Sequence, residues 1–578
     1  MSRRLRIFLT TATLGLAALT PLTLSADAEA AVPNAAACSP GGTWRQGELN
    51  VYWFDVEQGD GQLIVGPTGK TMLIDLGETS WNTTGAATNA TRVANEIKAI
   101  CGTGSAPVHL DYVMASHDHL DHIGYPGVPS DAGAYGNGIY QLLTPTSAGG
   151  LGFTVGQVID HDAGSWTDAN GNGSCDVGTS TAPSTEIAWH NVGTTSQTAR
   201  RWICWLYGPS TQPDRAAIDG KVLTLKNSDP AWPTFDLGGG ATATVVNANA
   251  KGTMEADGTT PVSGDHSTDA VPPSENDYSI AVKVTYGAYK YATAGDSDGE
   301  YSSSANGYTY NNIEASLPAK FGNQNFDTIR ANHHGSGHSS SDAYVTAMDP
   351  ETTLISCGAN SYGHPANRTL NAYRAIAADI YLTNDPCDTT DVSGSPIDYS
   401  GTLNHNGTVH LYTTNAGADY SVDYDAGTRS YVSGAGGTGG GTQGDPTKVK
   451  VNEFMPAPSP GNEWVELYNP TAVPVDVSGY FVDDVAAGGG APKQIPAGTV
   501  IPAGGRWVFE FASGFLNNTG SDAVRYTSPG GVEIDAYTYS LSSTQYNKVF
   551  HRTGDGGAWC GTISTNVTQG TANPATCP

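Results

Sequence analysis

Basic residues are scarce in this chain. Its 578 residues include 27 Lys and Arg against 56 Asp and Glu, which gives a formal net charge of −29 at pH 7. A protein that binds a polyanion along a broad surface draws on many Lys and Arg contacts. The charge therefore argues against a wide basic face, and a phosphate-bearing substrate would have to be held by metal ions and a few local cations.

Long apolar runs are also rare. Arg3, Arg4 and Arg6 precede a largely apolar run over residues 7–24, and residues 28–30 offer a small-x-small cleavage site. This pattern predicts a secretory signal peptide over residues 1–30, with twin-arginine export as the second interpretation. No later stretch of the sequence has the roughly 18 uninterrupted apolar residues of a membrane span. We therefore expect a secreted, extracellular protein without a membrane span after signal removal.

The chain has no CxxC pair, the spacing typical of thiolate metal sites. Eight cysteines in an exported chain favour disulfides instead. We expect consecutive pairing because it closes short loops and keeps each bridge within one domain, although the sequence leaves other connectivities open. The cysteines are Cys38, Cys101, Cys175, Cys204, Cys357, Cys387, Cys560 and Cys577.

A change of composition divides the chain at residues 434–445, GAGGTGGGTQGD. Such a segment behaves as a flexible linker. Before it, strand-like and helix-like segments mix over residues 46–433, which predicts an α/β layered domain. After it, residues 446–578 consist almost wholly of strand and turn signals, most simply a small β-sandwich. Residues 160–228 are rich in Gly, Asn, Ser and Thr and are expected to form a long surface insertion.

Histidine is rare, at 14 residues, yet SHDHLDHIG places three His and two Asp within residues 116–124. In a loop that leaves a buried strand, His117 and His119 can point to one side while Asp121 and His122 reach a second point nearby. Imidazole together with carboxylate suits Zn²⁺, and also Mn²⁺ or Fe. Two adjacent metals would share and deprotonate a water at neutral pH, which gives a nucleophile.

Further carboxylates and histidines follow predicted strands. They lie in FDVEQGD (54–60), MLID (72–75), TAGD (293–296), NHHGS (332–336) and YGHP (362–365). Each motif alone is weak, because a lone Gly-Asp or Gly-His-Pro is more often a turn. Their joint presence, in this order, indicates a shared site.

The motif set resembles the metallo-β-lactamase fold, an αββα sandwich with a binuclear site at one edge. DVxQGD, LIDLG, SHxHxDHIG, NDYS, AGD, HHGS and YGHP are most similar to the soluble hydrolase domain of the ComEC family of DNA-internalisation proteins, over about residues 51–412. The resemblance implies a metal-dependent hydrolase, above all a phosphodiesterase or DNase that uses a metal-bound hydroxide. It also implies two divalent ions, Zn²⁺ or Mn²⁺, and a phosphodiester or nucleic-acid substrate.

The resemblance assigns the metal ligands residue by residue. His117 and His119 would hold one metal, Asp121 and His122 would hold the other, and Asp296 would bridge the two. The carboxylate of Asp121 would thereby take a direct part in catalysis.

It also assigns the residues around the ligands. Of His333 and His334, one would ligate a metal and the other would contact the scissile group or protonate the leaving oxygen. His364 is a further candidate ligand or a residue behind the ligands. The residues expected to support the ligands from behind are Asp75, Asn276 and Ser336.

Two features depart from the family pattern. The usual third histidine on the first metal has no clear counterpart; Asn276 matches an Asn of the ComEC-like pattern, and His266 is an outside candidate. The membrane channel of the family is missing, so DNA uptake does not carry over. Fold alone does not fix function, so a hydrolase of lactones, esters or β-lactams and a non-catalytic metal-containing binding protein remain alternatives.

The segment after the linker has a resemblance of its own. VNEFMPAP, NEWVELYNPT, VDVSGYFVDD and IPAGTVIPAGG are similar to the lamin-tail domain, an immunoglobulin-like sandwich. No catalytic set is evident in it. We expect a role in attachment or binding, with an unknown target.

Overall fold

The computed structural model describes most of the chain outside its N-terminus. The described residues are 37–127, 136–179, 182, 184–193, 195–229, 231–251, 273–299, 311–322, 325–384, 387–425, 427–434, 446–471, 475–477, 479–485, 489–496, 499–511, 514–529, 531–542 and 544–578. The predicted signal peptide, residues 435–445 of the predicted linker and His266 lie outside them. The boundary between the two parts of the chain therefore stays a prediction.

The part before the linker has nineteen strands and seven α-helices among its described residues. The strands are β1 Asn50–Trp53, β2 Gly61–Val65, β3 Thr71–Leu76, β4 His109–Met114, β5 Thr154–His161, β6 Gly164–Trp166, β7 Ile187–Trp189, β8 Val222–Leu225, β9 Thr234–Gly238, β10 Ala241–Asn247, β11 Ala281–Tyr286, β12 Tyr289–Thr293, β13 Thr328–Arg330, β14 Thr352–Ile355, β15 Asp379–Leu382, β16 Leu403–Asn404, β17 Val409–Thr414, β18 Asp419–Tyr424 and β19 Gly427–Val432. The helices are α1 Asn89–Cys101, α2 Leu120–Ile123, α3 Gly138–Leu143, α4 Gln197–Tyr207, α5 Leu317–Phe321, α6 Asp342–Met348 and α7 Asn367–Ala375.

Two mixed sheets contain nearly all of these strands. Sheet A has the order β19-β18-β17-β1-β2-β3-β4-β5-β8, and sheet B has the order β16-β15-β14-β13-β12-β11-β10-β9. Strands β3, β4, β5 and β8 run parallel in sheet A, as do β12 to β16 in sheet B. Parallel strands end at the same edge of a sheet, so the loops that follow them are brought together.

The apolar side chains form three layers. Alternation along β1 sends Val51 and Trp53 to one face and Tyr52 to the other, as expected for a period of two. The first face packs against sheet B, for instance near Val282. The outer face of sheet A is covered by α1, α3 and α4, and that of sheet B by α5, α6 and α7. The α/β fold predicted from the motifs, the metallo-β-lactamase αββα sandwich, is confirmed.

Helix α1 follows directly from its sequence. Its apolar residues Val93, Ile97 and Ile100 recur at helical spacing and are all buried against sheet A. The hydroxyl of Thr88 accepts a hydrogen bond from the backbone of Thr91 and caps the first turn. Gly102 ends the helix in the left-handed conformation, at φ 67°.

The surface insertion predicted for residues 160–228 is wrong. Strand β8 pairs in parallel with β5 and extends sheet A. Helix α4 buries Trp202 and Trp205 completely in the core beneath that sheet. The small polar residues that dominate this segment lie in the loops between those elements. Because they outnumber the apolar residues, the composition of the segment does not indicate its apolar helix and its short strand.

All eight cysteines form disulfides. The bridges are Cys38–Cys101, Cys175–Cys204, Cys357–Cys387 and Cys560–Cys577. The expected consecutive pairing is confirmed. Each bridge closes a loop within one part of the chain, since no bridge crosses the predicted linker.

The part after the linker is all-β. Its strands are β20 Lys450–Met455, β21 Glu463–Tyr468, β22 Val475–Asp476, β23 Phe481–Asp483, β24 Lys493–Gln494, β25 Val500–Ile501, β26 Arg506–Phe511, β27 Gly520–Thr527, β28 Glu533–Leu541 and β29 Phe550–His551. Two four-stranded sheets, β26-β21-β20-β29 and β24-β23-β27-β28, enclose an apolar core that includes Val465 and Val524. This is the β-sandwich expected from the sequence.

None of the described helices combines the length and the apolar character needed to cross a bilayer.

Candidate metal centre

The chemistry-bearing motifs follow parallel strands of both sheets. In sheet A, β3 leads to Asp75 and β4 leads to the loop that contains His117. In sheet B, β12 leads to Asp296 and β13 leads to His333 and His334. The carboxyl ends of parallel strands in such sheets are the usual place for ligand binding. The sandwich thus brings motifs from distant parts of the chain to one edge.

Four side chains at this edge of the sandwich form a compact group. The donor atoms of Asp121, His122, Asp296 and His334 all lie within 4.8 Å of one another. Nε2 of His122 lies 3.0 Å from Oδ2 of Asp296. Nε2 of His334 lies 3.5 Å from a carboxylate oxygen of Asp121 and 3.5 Å from one of Asp296. The group joins ligands predicted for the second metal with the predicted bridging carboxylate.

The group fits a divalent ion. The Nε2 atoms of His122 and His334 are buried, and neither makes a hydrogen bond. Two ligand atoms on a tetrahedral zinc ion, each about 2.1 Å from it, lie roughly 3.4 Å apart. The separations around His334 have this size, and the donor set of two imidazoles and two carboxylates suits Zn²⁺.

The two histidines are fixed in the tautomer that a metal requires. Nδ1 of His122 lies 2.8 Å from Oδ2 of Asp75, and Nδ1 of His334 lies 3.0 Å from the carbonyl oxygen of Ser356. A carbonyl or an ionised carboxylate only accepts, so Nδ1 donates and the Nε2 lone pair is left for a ligand. Asp75 also accepts from the backbone N–H and the hydroxyl of Ser116, at 2.7 Å each. Asp75 therefore lies behind the histidine loop, the position expected from the sequence.

The loop that carries Asp121 is pressed against the end of β3. A Cβ on Gly77 would lie 1.7 Å from the carbonyl oxygen of Asp121, so only glycine allows this approach. The same carbonyl accepts the N–H of Asp60 at 2.9 Å. These contacts fix the position from which the Asp121 side chain projects.

The pair predicted for the first metal is also brought together. Nε2 of His117 lies 3.0 Å from Nδ1 of His119, and the rings of His117 and His122 are 4.2 Å apart. Burial, with the neighbouring His122 and His119, holds the pKa of His117 well below its ordinary value. Its imidazole is therefore neutral, the form that binds a metal. Asn276, the expected stand-in for a third ligand, lies with Nδ2 3.3 Å from Nδ1 of His333, and its buried Oδ1 has no hydrogen bond.

His333 has different surroundings from its neighbour. Its Nδ1 lies 3.1 Å from Oδ1 of Asp298, and its Nε2 lies 3.8 Å from Oδ2 of Asp296. Burial alone would lower the pKa of His333, but Asp296 and Asp298 raise it above the ordinary value. The φ angles of His333 and His334 are 49° and 52°, a strained conformation of the kind that clusters at functional sites.

The remaining predicted residues lie farther from the four-residue group. The ring of His364 is 5.2 Å from that of His333, and burial, with nearby histidines, lowers its pKa well below the ordinary value. Ser336 donates to the hydroxyl of Ser339 at 2.9 Å, and its Oγ lies 3.4 Å from Nδ1 of His338. Ser336 therefore supports the loop after His334, and these two contacts do not reach the metal ligands.

The group opens into a cavity of about 540 Å³. Its lining includes His119, Asp121, Asn276, His333 and His364. Among the described residues that line it, none is Lys or Arg. A bound anion would therefore meet imidazoles and any bound metal, not a basic surface.

Sequence reasoning missed three further residues near the site. Arg330 is fully buried; its Nε lies 2.8 Å from Oδ2 of Asp60, and its Nη2 lies 3.3 Å from Oδ1 of Asp296. Asp298 and His338 form a group with His333. Position in the sequence could have indicated two of the three. Asp298 follows Asp296 by two residues, and His338 is the last residue of the histidine-rich stretch HHGSGH.

Comparison with known proteins bears first on the C-terminal part of the chain. Residues 442–540 match the family model of the Lamin Tail Domain. The predicted lamin tail domain is confirmed. The match covers a minority of the chain, and a search of curated proteins found no match.

Two solved structures are similar to this chain. One is a mutant of CmlA β-hydroxylase, at 10% identity and a TM-score of 0.26; the similarity covers 59% of this chain and 53% of that one, about half its length. The other is Tm1679, described as a metal-dependent hydrolase of the β-lactamase superfamily, at 11% identity and a TM-score of 0.27, covering 58% of this chain and 95% of that one.

Proposed function

We propose that this chain is a secreted metal-dependent phosphodiesterase of the nuclease class. The observation that carries the proposal is convergence: motifs from Gln58 to His364 in the sequence supply side chains to the lining of one cavity. Each of these motifs has a counterpart in the ComEC-like hydrolase pattern. A chance set of turns has no reason to meet at one edge of the sandwich.

The chain's own residues divide into those that hold metal and those that move a proton. His117 and His119 would hold one ion, Asp121, His122 and His334 would hold the other, and Asp296 would contribute to both. Two divalent ions bound there would supply Lewis-acid activation of water and of the phosphoryl oxygen near neutral pH.

His333 is the proton donor in this proposal. Asp298 accepts from its Nδ1 and orients the ring, and Asp296 and Asp298 raise the pKa of the imidazole above its ordinary value, which favours the protonated form. Its Nε2 side faces Asp296, next to the proposed reacting centre. A leaving alkoxide oxygen that receives this proton departs as an alcohol.

The charge of the site fits a diester. A phosphodiester carries a single negative charge at each phosphate, which two divalent ions and one imidazolium can balance without further cations. The lack of Lys and Arg among the described lining residues and the net charge of −29 both disfavour a broad grip on duplex DNA. We therefore expect contact with few phosphates at a time and a weak dependence of binding on salt.

A substrate panel tests the proposal. Metal-loaded full-length protein would be incubated with single- and double-stranded DNA, bis-p-nitrophenyl phosphate, p-nitrophenyl phosphate, and a set of lactones, esters and β-lactams. We expect cleavage of the diesters. Turnover confined to lactones, esters or β-lactams would replace the proposal with a carboxyl-derivative hydrolase, and no turnover with the ions bound would leave a metal-containing binding protein.

A further inference from the structure

A separate set of buried ionisable groups lies beside the metal centre. Asp118 comes from the histidine loop, His161 ends β5, and Glu275 begins the turn 275–278. Their exposed fractions are 0%, 0% and 1%. Nε2 of His161 lies 3.5 Å from Oδ1 of Asp118 and 3.4 Å from Oε1 of Glu275. One donor atom from each residue lies within 4.8 Å of those from the other two.

These distances have the size of separations between metal ligands. A charge-assisted hydrogen bond between nitrogen and oxygen is about 2.7–2.9 Å long, and His122 and Asp75 in this protein show it, at 2.8 Å. Two ligand atoms on one tetrahedral ion lie roughly 3.4 Å apart. Nε2 of His161 therefore lies about as far from its two carboxylates as Nε2 of His334 lies from those of Asp121 and Asp296. That distance is 3.5 Å to each carboxylate in the metal centre.

Two of the three side chains lack hydrogen bonds, whereas Glu275 accepts from the backbone N–H groups of Asp118 and Gly193. Both carboxylate oxygens of Asp118 and both ring nitrogens of His161 are buried without one. Burial of a carboxylate without compensation is costly. Nε2 of His161, the carboxylate of Asp118 and Oε1 of Glu275 provide three ligand groups, and a bidentate Asp118 would make the site four-coordinate.

We propose that Asp118, His161 and Glu275 bind a third divalent cation, of the Zn²⁺ class, with a structural role. One imidazole and two carboxylates form a donor set suited to that class. The ion ties the histidine loop to the end of β5 and to the turn that carries Asn276. It thereby fixes His119, the residue after Asp118, whatever substrate the neighbouring centre acts on.

The wild-type protein provides the first test. Full-length protein would be stripped of metal, reloaded with Zn²⁺ and freed of excess, and the bound ions would be counted by mass spectrometry. Anomalous diffraction at the zinc edge would locate them. We expect three ions per chain, with one peak among Asp118, His161 and Glu275. Two ions and no peak at that position overturn the proposal and leave His161 as an imidazolium between two carboxylates.

Variants provide the second test. His161→Gln and Glu275→Gln should each lose one ion per chain and keep the two ions of the metal centre. Glu351→Gln is the matched control. Glu351 is equally buried, but it lies outside this set and accepts a hydrogen bond from the hydroxyl of Tyr420. The Glu351→Gln protein should keep three ions. Circular dichroism shows whether each variant folds. A folded His161→Gln protein that still binds three ions contradicts the proposal, and the diffraction result on the wild type decides the matter if neither variant folds.

Discussion

His333 and His334 are neighbours in the chain with different tasks in this account. Nε2 of His334 is aimed at Asp121 and Asp296, whereas Nδ1 of His333 is paired with Asp298. The sequence alone left open which of the two would ligate a metal. The geometry favours His334 as the ligand and His333 as the acid.

A leaving-group series tests the role of His333. His333→Gln should slow cleavage of diesters with alkyl leaving groups by about 100- to 10,000-fold, the usual contribution of a general acid. It should hardly change cleavage of p-nitrophenyl diesters, since p-nitrophenolate departs without a proton. The measurement is kcat across the series. Equal slowing of every substrate would show that His333 acts through the metals or the fold.

The pH dependence follows from the raised pKa of His333. Burial alone would lower this pKa, and Asp296 and Asp298 raise it, so the acid form persists to higher pH. The kcat for an alkyl diester should therefore fall on the alkaline side as the pH rises through that pKa. Asp298→Asn removes one of the raising charges and should move this fall to lower pH. A pH profile of the variant that matches the wild type would contradict the assignment.

At the scale of single residues, Arg330 contributes to the stability of the fold. It is buried between Asp60 and Asp296, and its removal leaves carboxylates without their counter-charge. Arg330→Met should lower the free energy of unfolding by about 3–5 kcal/mol, the usual cost of breaking a buried ion pair. Denaturant unfolding measures it. Lys226→Met, at an exposed position, is the control and should change stability by no more than about 0.5 kcal/mol.

At the scale of single elements, helix α1 is the clearest case of structure dictated by sequence. Ile97→Ala removes buried apolar volume between α1 and sheet A and should cost about 2–5 kcal/mol. Asn95→Ala, on the exposed face of the same helix, should be near neutral. Thermal and denaturant unfolding compare the two variants. Similar losses in both would mean that propensity and not packing holds the helix.

The elements that could be predicted are those whose pattern is local. Apolar spacing and Gly102 indicate α1, and alternation indicates β1 and its neighbours. Helix α4 could not be found by composition, because its QTARRWICWLY is surrounded by small polar residues that mark loops. Its burial is decided by tertiary packing of Trp202 and Trp205 beneath sheet A.

The site divides in the same way. The sequence shows His117, His119, Asp121 and His122 clearly, because four candidate ligands lie within six residues. Arg330, Asp298 and His161 do not, since each is a single polar residue whose partners come from distant strands. Only the register of the sheets brings such residues together, and a single sequence does not state it.

At the scale of the whole molecule, the predicted linker lies in the sequence between the residues of the proposed site and the lamin tail domain. A chain ending at Gly434 should fold and cleave bis-p-nitrophenyl phosphate at the full rate, because every residue of the proposed site precedes that position. The cut is placed after Gly434 because its N–H donates to Asp327 at 2.5 Å. We propose that the lamin tail domain serves attachment, so activity on an immobilised polymer should fall as the effective concentration is lost. Loss of activity on the small diester would show that the lamin tail domain completes the site.

The central claim is that metal held by this cluster drives phosphodiester cleavage, and Asp121→Asn tests it most directly. The measurement is kcat on bis-p-nitrophenyl phosphate for metal-loaded wild type and Asp121→Asn, with Asp236→Asn, a surface partner of Lys70, as the control. The account predicts that Asp121→Asn folds and loses at least about 100-fold in rate, as loss of a charged ligand should exceed the roughly 10- to 100-fold cost of changes behind metal ligands. The control should match the wild type. Wild-type turnover by Asp121→Asn would contradict the account.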